Sequence, residues 1–225
     1  DVDIVEAFEA LIADSITRTF SVTVLRHAKA TPPSSWDGPD STRPLTKRGK
    51  EQAELLVPTI QAFGVSRVSA SDAGRCQETV APLALATGVP VKAVSGISQD
   101  AYEEGVDDIP ALVTKRIRSR RNAVVCSHGP VIPEILRQIA LATGIPPGSY
   151  LSGASPLATS AFSFVHISAD HPGSGIISVD TYPARVYHRP SRASPVDWTS
   201  TLLPSRHAQL SSAFSFLTTP LHPPF

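Results

Sequence analysis

Two arginines and two histidines stand directly beyond short apolar runs in this chain, and all four are residue types that handle phosphate. Arg26-His27 follows Phe20 to Leu25, the turn Ser71-Asp72-Ala73-Gly74-Arg75 follows Val65 to Ala70, and Ser127-His128-Gly129 follows Asn122 to Cys126. Arginine presents a planar fork of donors that matches phosphate oxygens. Neutral imidazole is a good nucleophile toward phosphorus and titrates near neutrality. One histidine could therefore accept a phosphoryl group while the other, with both arginines, stabilises the oxygens as charge develops. The leaving oxygen then needs a proton, and the acidic stretch Asp100, Glu103, Glu104, Asp107, Asp108 could supply it.

The elements that must carry these residues alternate. Strands are expected over about 20–25, 65–70, 89–94 and 122–126, the last an apolar run typical of a strand buried on both faces. Helices are expected over about 47–63 with Thr46 as N-cap, from about 75 to Gly88, over 109–120 and over 131–143. Two further strands, 161–167 and 176–182, flank a turn at 170–175 and read as a hairpin. The pattern predicts an α/β three-layer sandwich with a mostly parallel central sheet and a terminal antiparallel hairpin. In such sheets ligands bind beyond the carboxyl ends of the strands, where the arginines and histidines fall.

Composition narrows the partners. The 225 residues are 41% hydrophobic and 18% charged, enough for one core of enzyme size. Twenty basic residues balance 20 acidic ones, so no global field favours nucleic acid or an anionic membrane. No apolar run is long enough to span a bilayer. Two cysteines, Cys76 and Cys126, exclude a disulfide scaffold and make a reduced, cytoplasmic compartment the expectation, with both as small packing residues. His166, His171, His188, His207 and His222 lack metal-ligand spacing, so neither a metal nor a cofactor is expected. The chain has no methionine, even at position 1, as expected of a processed chain or a fragment of a longer protein. Residues 1–18 read as a helix (3–13) and linker, 19–185 as the α/β domain, and the Pro/Ser-rich stretch 186–225 as an extension.

Four fragments, in this order and spacing, resemble the histidine phosphatase superfamily, in the branch with phosphoglycerate mutases and SixA-type phosphohistidine phosphatases. They are Val24-Leu25-Arg26-His27-Ala28-Lys29-Ala30; Arg43-Pro44-Leu45-Thr46 with Gly49 and Gln52-Ala53; Ser71 to Thr79; and Val125-Cys126-Ser127-His128-Gly129. The resemblance runs from about residue 20 to 182, and Ala28 replaces the glycine of the usual Arg-His-Gly motif. It implies a phosphoglycerate mutase-like fold, His27 as the phospho-accepting nucleophile, and Arg26, Arg75 and His128 as the rest of the phosphate pocket. It further implies Glu103 as the proton donor, with Glu104 and Asp100 as alternatives. Arg43, Lys29, Ser71 and Gly129 are the expected substrate-binding residues.

A closer likeness rests on Arg26 to Ala30, Trp36, Arg43-Pro44-Leu45 and Arg75-Cys76. These are similar to the C-terminal half of actinobacterial proteins that fuse a MutT-type Nudix domain to a histidine phosphatase domain. Residues 1–18 would then end an upstream Nudix domain, whose own signature is not among these residues. Three readings are open. The first is a metal-independent phosphatase acting on a phosphorylated small molecule, nucleotide or phosphoprotein. The second is the phosphatase half of a nucleotide-hydrolysing fusion acting on oxidised nucleotides or dinucleotide polyphosphates. The third is a non-catalytic phosphate-binding or assembly module. Selectivity would come from loops 31–43, 95–108 and 146–160.

Overall fold

The computed structural model describes residues 18–184, together with Glu6 and Glu9. Apart from those two helical glutamates, the helix expected over 3–13 lies outside the described residues, as does the extension 186–225.

Six strands form one sheet in the order β3-β2-β4-β1-β5-β6. They are β1 (Thr19–Arg26), β2 (Arg67–Ser71), β3 (Val91–Val94), β4 (Ala123–Ser127), β5 (Phe162–Ser168) and β6 (Ile176–Tyr182). The first four run parallel, β5 lies antiparallel to β1, and β6 closes the edge as the expected hairpin partner of β5. The helices are α1 (Lys47–Ala62), α2 (Gly74–Thr87), α3 (Gln99–Glu103), α4 (Ile109–Ser119) and α5 (Ile132–Ala142). The short α3 sits inside what the sequence presents as an acidic loop.

The sheet is buried on both faces because β4 is apolar at every position but its last, and alternate side chains serve opposite cores. Val125 joins Val22, Val24 and Val165 under α4 and α5, against Leu112, Val113, Ile135 and Ile139. Val124 and Cys126 face the other way, with Leu25 and Phe164, onto Leu56 and Ile60 of α1 and Val80 and Leu83 of α2. Two cores separated by one sheet make the three layers. Among the described residues no helix is long and apolar enough to cross a membrane.

Helix α1 starts where the sequence says it should. The Thr46 hydroxyl accepts from the Gly49 amide at 3.0 Å and donates to the Lys29 carbonyl at 3.0 Å. Gly49 is required for contact rather than flexibility: a Cβ there would meet the Lys29 carbonyl oxygen at 2.1 Å. The helix start is thereby fastened to the segment just beyond β1, which carries the first histidine.

Candidate active site

Strand register assembles the site. Parallel pairing sets Arg26 opposite Ser127, so His27 and His128 leave adjacent strands side by side. Their rings lie 5.3 Å apart, centroid to centroid, at 61°. Strand β2 flanks β4 on its other side, so its exit through Ser71 and Asp72 brings Arg75, in the first turn of α2, to the same edge. No side chain caps the start of α2, whose first-turn amides and dipole favour an anion.

His27 is 9% exposed. Its Nδ1 lies 2.8 Å from the Ala28 carbonyl, which can only accept, so Nδ1 carries the proton and Nε2 the lone pair. Burial, joined by the charges of Arg75, Arg26 and Arg43 and opposed by the Ala28 bond, pushes its pKa down to about 4. His128 is 1% exposed, with Nε2 3.0 Å from the Ser71 hydroxyl and 3.6 Å from the Cys76 thiol. Burial and the neighbouring Arg75 bring its pKa to about 3. Both imidazoles are therefore neutral at neutral pH.

The side-chain nitrogens His128 Nδ1, Arg75 Nε and Arg26 Nε are buried without a hydrogen-bond partner. Unpaired buried donors are costly, and three at one sheet edge are an arrangement that an anion could satisfy. Arg75 is 2% exposed, and burial lowers the pKa of Arg26, whose guanidinium donates to the Leu157 carbonyl at 2.7 Å. The segment around Leu157 also holds the end of β1. Ser160, in the left-handed region at φ 65°, donates its amide to the Arg26 and His27 carbonyls at 3.2 and 3.1 Å. For a serine that conformation costs roughly 1 kcal/mol, strain of the kind kept at functional sites.

A cavity of about 90 Å³ opens at this edge, lined by Asp40, Asp72, Arg75, Ser98, Asp100 and His128 among others. It has the room of about three water molecules; Arg75 and His128 line it, whereas His27 and Arg26 do not. A groove of about 560 Å³ shares Ser98 and Asp100 with it and continues past Lys92, Glu104 and Asp108. A larger groove of about 660 Å³ between α1 and α2, beside Pro82 and Leu85, contains none of the arginines or histidines above, so chemistry rather than size identifies the site.

Several expected site residues take other places. Glu103 stands at the far end of α3, exposed, with its carboxylate 2.7 Å from Gln99 Nε2; it does not line the cavity, which α3 reaches through Gln99 and Asp100. Glu104 borders the outer groove, and Asp100 alone of the three acids reaches the smaller cavity. Ser71, completely buried, is the hydrogen-bond partner of His128 rather than a substrate contact. Gly129 makes room for Arg26: a Cβ there would stand 3.0 Å from the guanidinium carbon. Lys29 contributes its backbone, to Gln52 and Thr46, and its exposed side chain is not part of the cavity wall. Arg43 reaches the rim through Asp40, whose carboxylate its Nε meets at 2.8 Å. Sequence reasoning overlooked Asp40, Asp72 as an acid, and Thr79. The Thr79 hydroxyl accepts from the Ala28 amide at 2.9 Å and donates to the Arg75 carbonyl at 2.6 Å, tying the two phosphate-facing turns together. Among the described residues no group of three or more His, Cys, Asp or Glu side chains could hold a metal ion.

The two depressed histidine pKa values make stability depend on pH. Between about pH 6.5 and 4 the unfolded chain binds protons that folded His27 and His128 refuse, so the native state weakens as pH falls through that window. The expected loss is about 1 kcal/mol per pH unit for each histidine. Urea unfolding in phosphate-free buffer at pH 7, 6 and 5 should show it, and His27→Gln should flatten the dependence. Equal stability at pH 6.5 and 5 would contradict the burial of neutral imidazoles.

Residues 22–104 match the family model of the histidine phosphatase superfamily (branch 1). An 8-oxo-(d)GTP phosphatase from Mycolicibacterium smegmatis is 34% identical over 118 residues, covering 52% of this chain and 37% of that protein, so the chain spans well under half of this curated relative. Among solved structures, a SixA-type protein from Nakamurella multipartitia superposes with a TM-score of 0.56 at 17% identity, covering 76% of this chain and 99% of that one. A mycobacterial glucosyl-3-phosphoglycerate phosphatase gives 0.54 at 14% identity, covering 75% of this chain and 100% of that one. These likenesses confirm the phosphoglycerate mutase-like fold. The family match ends before β4, so His128 joins the set through strand register alone. Over residues 22–104, with Arg26, His27 and Arg75 among those matched, the chain is similar to the histidine phosphatase superfamily (branch 1).

Proposed function

We propose that the chain is a phosphatase that hydrolyses a phosphomonoester or phosphohistidine through a covalent phosphohistidine on His27. The observation that carries this reading is the fixed tautomer of His27 beside the buried donors of Arg75, Arg26 and His128. Nε2 of His27 attacks phosphorus, and the P–O or P–N bond to the leaving group breaks in line with it. The Ala28 carbonyl, bonded to Nδ1–H, stabilises the positive charge that the ring acquires. Arg75 Nε, Arg26 Nε and His128 Nδ1 donate to the phosphoryl oxygens in the transition state. Water then attacks the phosphohistidine, releasing orthophosphate and regenerating neutral His27. The arginines supply the positive charge that the step requires, so turnover should persist in excess chelator.

Asp100 is the proton donor in this reading, since it lines the cavity from the first turn of α3. A good leaving group needs little protonation and a poor one needs much. Asp100→Asn should therefore cost about a hundredfold in kcat on an alkyl phosphate but only a few-fold on p-nitrophenyl phosphate. Equal losses on both substrates would transfer the role, and Asp72, on the same cavity wall, would be tested next.

The catalytic unit in this reading is residues 19–185, with 1–18 as linker and 186–225 as an appended extension. A cytoplasmic site of action goes with it, since Cys76 and Cys126 are both free and buried. The 8-oxo-(d)GTP phosphatase relative favours a second reading, in which the chain is the histidine phosphatase part of a longer nucleotide hydrolase with a Nudix domain upstream. Faster turnover of nucleotides than of phosphohistidine peptides, and an in-frame Nudix domain in the gene, would select it.

A further inference from the structure

Asp40 belongs to none of the motifs that point to the site, yet from the short turn Asp40–Thr42 it grips two of the arginines there. Its Oδ2 accepts from Arg75 Nη2 at 2.9 Å, its own backbone carbonyl accepts from Arg75 Nη1 at 2.8 Å, and its Oδ1 accepts from Arg43 Nε at 2.8 Å. Arg43 is pinned again by the Thr31 carbonyl at 2.7 Å. One residue thus holds the outer end of the Arg75 fork with two acceptors, while Nε on its flank stays buried and unpaired. A guanidinium anchored by its end offers that flank, Nε and the second Nη2 proton, to a phosphoryl group side-on.

We propose that Asp40 is a positioning residue that locks Arg75 and Arg43 into one rigid pair, so that Arg75 meets the phosphoryl oxygens of the transition state in a fixed orientation. The inference rests on the phosphatase reading above, in which Arg75 touches the phosphoryl group. It makes a prediction opposite in sign to simple electrostatics. Removing a negative charge beside an anion site strengthens anion binding, whereas releasing Arg75 weakens the geometry on which the transition state alone depends. Burial would raise the Asp40 carboxyl, but the Arg43 hydrogen bond and the Arg75 charge outweigh it and hold the group below the usual carboxylate range. The clamp is therefore charged throughout the working pH range.

The test compares Asp40→Asn with wild type on p-nitrophenyl phosphate, with orthophosphate and orthovanadate as competitive inhibitors; vanadate adopts the five-coordinate geometry of the transition state. Loss of positioning lowers kcat and vanadate affinity together by about tenfold to a hundredfold. KM and orthophosphate inhibition stay within about threefold, because ground-state binding needs charge more than orientation. Asp40→Glu, which restores the carboxylate, regains part of the loss, and it serves as the test variant against Asp40→Ala if Asp40→Asn does not fold. A folded Asp40→Asn with wild-type kcat and vanadate affinity overturns the proposal. So does one that binds phosphate and vanadate more tightly to the same degree. A wild type without turnover or vanadate binding overturns the phosphatase reading and this inference with it. Normal wild-type turnover with an insensitive Asp40 variant overturns this inference alone.

Discussion

His27→Ala is expected to abolish turnover, with kcat on p-nitrophenyl phosphate reduced by at least about 10⁴-fold, as removal of an enzyme nucleophile commonly does. His27 is the one imidazole at this edge with its lone pair on an uncommitted nitrogen. The Nε2 of His128 is already engaged by Ser71 and lies against Cys76, so it cannot substitute. The variant should retain its fold, because the side chain makes one hydrogen bond, to the neighbouring carbonyl, and borders solvent. It should also retain phosphate binding, since the donors of Arg75, Arg26 and His128 remain. Steady-state kinetics together with calorimetric phosphate titration check both halves. A residual rate within about tenfold of wild type would mean that water attacks phosphorus directly and that His27 is only a contact.

Arg75 is the second large effect. Arg75→Ala should lower kcat/KM by about 10³-fold, at the upper end for loss of one transition-state donor, because the guanidinium supplies both charge and a directed Nε–H. Arg75→Lys should recover little of it. An ammonium is a point charge that cannot be held at one end by Asp40 while presenting a second edge to the phosphoryl group. The same comparison with orthovanadate should show the loss in transition-state affinity. Substantial rescue by lysine would indicate that Arg75 contributes charge alone.

The four residues of the candidate site were legible because each follows shortly after a strand whose type is local information. Phe20 to Leu25 and Asn122 to Cys126 are β-branched and apolar runs, and the residues directly after them had to lie at a sheet edge. The adjacency of β1 and β4 is different, since it depends on nonlocal pairing in the order β3-β2-β4-β1 and no run of residues announces it. The resemblance to a family supplied that juxtaposition; the physics of each segment did not. Which of the three acids lines the cavity was not legible, for a local reason. Within five residues of α3, which carboxylate faces inward depends on where the helix starts, and the Ser98 cap that sets its start at Gln99 lies in a stretch dominated by acidic residues. Asp40 was invisible because a loop aspartate after proline looks like ordinary turn chemistry, and only the folded loop brings it to Arg75. Ser160 was hidden in the same way, since a serine with φ 65° is a tertiary compromise that propensity does not foresee.

The most direct test of the account is to trap the intermediate. Wild-type protein mixed with ³²P-labelled substrate should be quenched within the first turnover in alkali, where phosphohistidine persists, and the label located by peptide mapping. Acid-labile, alkali-stable label is expected on the peptide containing His27, chased by unlabelled substrate and missing from His27→Ala. Efficient turnover with no labelled protein at any quench time, or label on another residue, would contradict it.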